Sequence, residues 1–201
     1  MSRAPIELWF EFASPYSYIG VAKGLRLPIP VALRPFLLGP VFAAQGMKDS
    51  PFNLFPVKGK YMFRDMERLC EELGLPPFKR PSLFPRGSIL ATRIALANEG
   101  SDWVGDFCLR VYQANFSEDR DIGKVAVIEE ILSELKLDAQ ALRPQAESPE
   151  VKLLLRERTE RAIALGIFGA PTFRVGEELF WGSDRVEQAC AWQRRSQSRS
   201  S

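Results

Sequence analysis

The chain has 201 residues, 46% apolar and 26% charged, which fits one compact domain, or one domain with an insertion, whose core needs no metal or disulfide staples. Lysine plus arginine number 27 against 25 acids, and histidine is absent, which excludes imidazole-based nucleophile pairs, HExxH metal sites and imidazole proton shuttles. Three cysteines (Cys70, Cys108, Cys190) without CxxC spacing exclude a local redox dithiol and argue against a Cys/His metal site, so no metal is expected.

In chain order, residues 6–12 (IELWFEF) read as a buried strand that ends at the turn Ala13-Ser14-Pro15. A helix is expected next, starting near Ser14 or Ser17 and ending at Gly24. Residues 29–37 read as a second strand, which Pro30 and Pro35 confine to an edge or an irregular course. Strand, helix, strand at this spacing is a βαβ unit. Residues 28–85 hold ten of the fifteen prolines and seven of the fourteen phenylalanines, so an irregular arm is expected there. Within it, KYMFRDMERLCEELGL is one clear helix, with Met62, Met66, Leu69, Cys70 and Leu73 on one face and Gly74 closing it.

Four further helices are expected. Gly87-Ser88 caps ILATRIALANEG, Ser101-Asp102 caps WVGDFCLRVYQANF, KVAVIEEILSELKL is the third, and Ser148-Pro149-Glu150 opens a fourth that ends at Gly166. Residues 171–181 read as a β-hairpin, and Gly182-Ser183-Asp184 caps a last helix with Val186 and Cys190 inward. The last nine residues hold three arginines, no acid and no apolar group, and read as a disordered basic tail; without them the body is nearly neutral. No basic stripe marks a nucleic-acid partner, and no segment approaches a membrane span. Without a signal-peptide pattern, a cytoplasmic location is expected.

The order β-α-β, helices, β-β-α is that of a thioredoxin-type domain, which usually carries CxxC where its first strand meets its first helix. Here that position holds Ser14-Pro15-Tyr16-Ser17, and Gly169-Ala170-Pro171-Thr172 stands where the superfamily places a cis-proline. Two hydroxyls cannot form a disulfide, but a hydroxyl at a helix N-terminus can donate to a thiolate supplied from outside. The expected fold is therefore α/β, a thioredoxin-like domain (residues 1–40 and 148–192) carrying an inserted arm and all-helical domain (41–147), with a tail at 193–201.

The chain resembles the 2-hydroxychromene-2-carboxylate isomerases and the related kappa-class glutathione transferases. The resemblance spans about residues 6–192 and rests on FEFASPYSYIG (10–20), PFNLFPVKGKYMFRDMERLC (51–70), PSLFPRGSILATR (81–93), FSEDRDI (116–122) and GIFGAPTFRVGEELFWGSDR (166–185). It implies glutathione as cofactor and Ser14 as the catalytic hydroxyl facing its sulfur. The main chain of Ala170, before Pro171, would pair with the cysteinyl backbone. Ser183 and Asp184 would hold the γ-glutamyl end, and Asn53 and Lys58 would reach glutathione or an acidic substrate from the arm.

Ser14 and Asp184 also read as plain helix caps, Lys58 as a solvated side chain, and Asp65 with Arg68 as a surface ion pair. Tyr16, Phe36, Phe42, Phe55, Tyr61, Phe84, Phe168 and Trp181 could wall a pocket for a flat bicyclic or styryl substrate, and the cysteines read as small buried hydrophobes. Two departures stand out: Gly87 occupies a position where relatives often have Asn, and NLFP replaces the NxPP of kappa-class members.

The implied activity is glutathione-dependent cis–trans isomerisation of a small aromatic keto-acid or bicyclic carboxylate in aromatic catabolism, by a homodimer. A kappa-like glutathione transferase, or a non-catalytic glutathione-binding scaffold, remains the alternative.

Overall fold

A computed structural model describes residues 5–198. Four strands, β1 (Ile6–Phe10), β2 (Val31–Pro35), β3 (Thr172–Val175) and β4 (Glu178–Trp181), form one sheet in the order β2-β1-β3-β4. β1 and β2 run parallel, while β3 is antiparallel to both β1 and β4. As the prolines dictate, β2 lies at an edge. The crossover from β1 to β2 is α1 (Pro15–Gly24), which starts on the Ser14 cap with Pro15 in its first turn.

Between β2 and β3 the chain builds α2 (Leu38–Ala44), α3 (Pro51–Leu54), α4 (Pro56–Glu72), α5 (Ile89–Ala97), α6 (Val104–Phe116), α7 (Val125–Glu134), α8 (Ala139–Glu147) and α9 (Pro149–Ala164); α10 (Val186–Ser198) closes the domain. The architecture is the expected α/β thioredoxin-like sheet with a helical insertion.

Alternation along β1 sorts the core. Ile6, Leu8 and Phe10 join the larger cluster, which takes in Tyr18, Met62, Phe107, Tyr112 and Phe173; Trp9 joins Phe36, Leu38, Val41, Ala162 and Ile167 on the other side. A sheet covered on both faces explains why β1 reads as an almost continuous apolar run. Helix α1 sits very close to the β3 end: a Cβ on Gly20 would come within 2.7 Å of the Pro171 side chain. Glycine is required there so that helix and proline can touch.

Several expectations change. The arm is more helical than its prolines imply, because Pro51 and Pro56 occupy first-turn positions where no N–H is needed. Helix α4 therefore begins at Pro56 rather than at Lys60, and Gly59 lies where a Cβ would strike the Phe52 carbonyl at 2.3 Å. Helix α8 is an addition to the expected set, because its interior Pro144 masks the pattern; Asp138 caps it by accepting from the Gln140 and Ala141 N–H groups. Helix α6 starts after Trp103, without the side-chain cap expected from Ser101 or Asp102.

The expected disordered tail at 193–201 is corrected over its described part, since α10 runs on to Ser198. Gln193 is buried there, and the Arg195 guanidinium lies 5.5 Å from the Trp192 ring. Residues 199–201 lie outside the described residues.

Candidate active site

A cavity of about 1540 Å³ opens where the C-terminal end of β1, the start of α1, the segment before β3 and the arm converge. Single small-molecule pockets run to roughly 300–1,000 Å³, so this one has room for two ligands side by side.

Ser14 lies in its wall, 7% exposed, in the extended conformation of a helix N-cap. Its Oγ accepts from the Ser17 N–H at 3.3 Å and donates to the Ala170 carbonyl at 3.0 Å. The hydroxyl thus stands at the positive end of α1 with its proton aimed at the segment before β3. Ser17, expected as a possible cap, instead braces the end of β1, where its Oγ accepts from the Glu11 N–H at 3.4 Å.

Across the cavity wall, the Ala170-Pro171 bond is cis, and the Pro171 carbonyl accepts from the Gly182 N–H at 3.0 Å. That bond brings Ser183 and Asp184 to the same rim, with Gly182 at φ +116°, a conformation glycine adopts readily. Ser183 is buried, whereas the Asp184 side chain is 73% exposed and faces Arg185 Nε at 3.6 Å. An exposed pair of this kind contributes little stability and leaves the carboxylate open to a ligand cation.

Lys58 also lines the cavity, from the first turn of α4 rather than from an irregular loop, with Nζ 5.9 Å from the Phe52 ring centre. Asn53 does not line it. Its amide donates to both Asp49 carboxylate oxygens and to the Phe84 carbonyl, so it ties α3 to the segment before α5. Seven of the eight expected aromatics line the cavity; Phe36 packs against Trp9 in the second core cluster instead. Tyr16 donates to Asp65 Oδ2 at 3.0 Å while Arg68 holds Oδ1 at 2.7 Å, so Asp65 is more than a surface partner of Arg68. Burial and the Asp65 charge together keep the Tyr16 phenol protonated.

Sequence reasoning misses Glu11. It follows β1 directly, is 6% exposed, and lines the cavity. Its Oε1 accepts from the Ala13 N–H at 3.1 Å and from the Ser88 hydroxyl. Ser88 therefore makes no side-chain cap for α5, contrary to expectation, because its hydroxyl is spent on Glu11. Burial pushes the Glu11 carboxyl up to about 7, against the two hydrogen bonds that favour its charged form. The available signal is an acid flanked by Phe10 and Phe12 at the end of an apolar strand.

The segment carrying Ser88 is anchored by Arg86, whose buried guanidinium pairs with Asp119 and donates to the Asn115 and Arg120 carbonyls. All three cysteines are buried and free. No helix among the described residues is long and apolar enough to cross a membrane.

Comparison with known proteins agrees with this architecture. The profile of the DSBA-like thioredoxin domain matches residues 5–190. The chain is 28% identical over 205 residues to glutathione S-transferase kappa 2 of Caenorhabditis elegans, covering 93% of this chain and 90% of that one. It is 26% identical over 188 residues to a 2-hydroxychromene-2-carboxylate isomerase of Sphingobium xenophagum, covering 90% and 94%. A solved 2-hydroxychromene-2-carboxylate isomerase superposes with a TM-score of 0.84 at 21% identity, over 98% of this chain and all of that one. With that profile matched over residues 5–190, nearly its whole length, the chain belongs to the DSBA-like thioredoxin domain family.

Proposed function

We propose that the chain is a glutathione-dependent cis–trans isomerase of 2-hydroxychromene-2-carboxylate type. The observation that carries this reading is the Ser14 hydroxyl, held at the start of α1 within a cavity large enough for a tripeptide thiol and a second ligand.

The residues present fit glutathione. Ser14 offers a donor for sulfur beside a helix N-terminus, and the main chain before Pro171 offers an edge with which an extended peptide can pair. Ser183 and Asp184 offer a hydroxyl and a carboxylate for the γ-glutamyl ammonium end. When bound, glutathione supplies a thiolate that adds reversibly to the conjugated double bond of a ring-opened keto acid, leaving a single bond about which the substrate rotates.

The chain's own part is to turn the Ser14 proton from the Ala170 carbonyl to the sulfur, which favours the ionised thiol. Lys58 meets the substrate carboxylate or the charge developing on its keto oxygen. The aromatic wall holds the flat ring and excludes water. Asn53 takes a supporting place: it fixes the arm on which Phe52, Phe55 and Lys58 stand. Ser14 and Ser17 stand where the resemblance places the superfamily's dithiol and the cysteines are buried, which supports an imported sulfur as the nucleophile.

A second reading, kappa-like glutathione transfer to an electrophile, is supported by relatives of that name, including the human kappa 1 enzyme at 29% identity. Ultraviolet spectra of a mixture with glutathione and a chromene carboxylate separate the two. Isomerisation shifts the substrate spectrum with no net loss of glutathione. Stoichiometric loss of glutathione with a model electrophile, and no isomerisation, selects the transferase. No activity and no thermal shift with glutathione overturn both.

A further inference from the structure

Glu11 is more than a strut in the wall. Its main chain accepts from the Ser14 N–H at 3.0 Å and donates to Ser17 Oγ, and its carboxyl accepts from the Ala13 N–H at 3.1 Å, so the carboxyl lies against the same turn that carries the Ser14 hydroxyl. Its Oε1 is fully used by Ala13 and Ser88, while Oε2 makes no hydrogen bond among the described residues. A carboxyl with one engaged oxygen in a cavity wall holds a proton on the other at little geometric cost.

The groups packed around it offer no compensating charge. From α1 comes Ser17, and from the segment before α5 comes Ser88. Helix α6 contributes Tyr112, whose hydroxyl donates to the Glu11 carbonyl at 3.1 Å and which burial keeps protonated, and Asn115, which donates to the Phe12 carbonyl at 3.2 Å. Arg86 is committed to Asp119 and to the backbone at 115 and 120. Glu11 forms no ion pair with any described residue.

We propose that Glu11 and the thiol docked at Ser14 form a pair that carries one negative charge between them. The inference rests on the proposed function. Two anions in one turn, with no cation paired to the carboxyl, repel strongly in a poorly solvated wall. When the thiol's S–H bond breaks, the electron pair stays on sulfur and a proton is taken up at Glu11, where an O–H bond forms. The site therefore keeps a constant net charge while its nucleophile is made. The position of the carboxyl near neutrality agrees with such an exchange, since the group holds or yields a proton near pH 7.

The test counts protons. Glutathione is bound to the intact protein near pH 7.5 in calorimetry buffers of different ionisation heats, and the thiolate formed is measured by its ultraviolet absorbance. In the wild type, fewer protons are released than thiolates formed. In Glu11→Gln, which keeps an oxygen for Ala13 and Ser88 but carries no charge, the two numbers become equal and the thiolate fraction rises by at least about threefold. Equal counts in the wild type, with glutathione bound, overturn the paired charge and leave the proposed function standing. Absence of glutathione binding to the wild type overturns both. Where Glu11→Gln fails to fold, the wild-type counts alone decide.

Discussion

The two walls of the cavity are built by different physics. On one side Ser14, Glu11 and Pro171 are almost fully buried, and their bonds join residues up to 156 positions apart, as between Ser14 and Ala170. On the other side stands the arm, where Phe55, Val57 and Tyr61 are exposed and where the fixing bonds, such as those from Asn53, are solvent-facing. The first wall is the one suited to hold a reacting atom in one place, as the proposed function requires. The second can adjust to the outline of a ligand, because exposed side chains with few packed neighbours cost little to move.

The contrast can be broken most strongly at Glu11. Its folded carboxyl is raised from about 4.5 to about 7, so between those values the folded state keeps a proton that the unfolded state has lost. Stability attributable to this group is therefore present below pH 4.5 and falls as pH rises through 7, by about 3 kcal/mol in all. Thermal melts of Glu11→Gln across that range should lack this decline; a parallel decline in both proteins contradicts the shift.

Ser14→Ala comes next. Removing a donor aimed at developing charge costs on the order of a hundredfold in kcat/KM, and it raises the pH at which bound glutathione ionises. An unchanged thiolate titration would count against the role given to Ser14. Gly20→Ala should lower stability by about 1–3 kcal/mol, because its methyl meets the Pro171 ring at 2.7 Å. Denaturant unfolding measures this, and a cost near zero would show that the first wall yields as readily as the second. The smallest effect belongs to the arm: Asn53→Ala should cost under about 1 kcal/mol and leave the glutathione Kd within about twofold. A large rise in that Kd would place Asn53 on the ligand after all.

How far the sequence can be read follows the same division. Signals that act within a few residues are legible: Pro15 after the Ser14 cap, the Ser148-Pro149 start of α9, the Gly176 turn at φ +62° and the edge position of β2. Ser14, Lys58, Ala170, Pro171, Ser183 and Asp184, which the resemblance would place at glutathione, all line one cavity. What escapes depends on distant partners. Ser88 reads as a cap until Glu11, 77 positions away, takes its hydroxyl. Asn53 reads as a ligand contact, while in the structure its amide is held by the Phe84 carbonyl, off the cavity wall. Phe36 reads like any other aromatic near the arm until the second core cluster absorbs it. Prolines mislead in both directions, since first-turn prolines start α3 and α4 while Pro144 hides α8.

The buried cysteines have a consequence for the chain's own chemical survival. Burial lifts the Cys70 thiol to about 11 and raises Cys108 and Cys190 as well. At neutral pH about one Cys70 in ten thousand is then ionised, and only the ionised form attacks a disulfide. If the chain binds a small thiol, as proposed, it meets the oxidised form of that thiol too, and an accessible cysteine would be capped by it. Under the proposed function, Cys70, Cys108 and Cys190 are insulated from that thiol by burial, and the one exchangeable sulfur in the site would be the one that can leave.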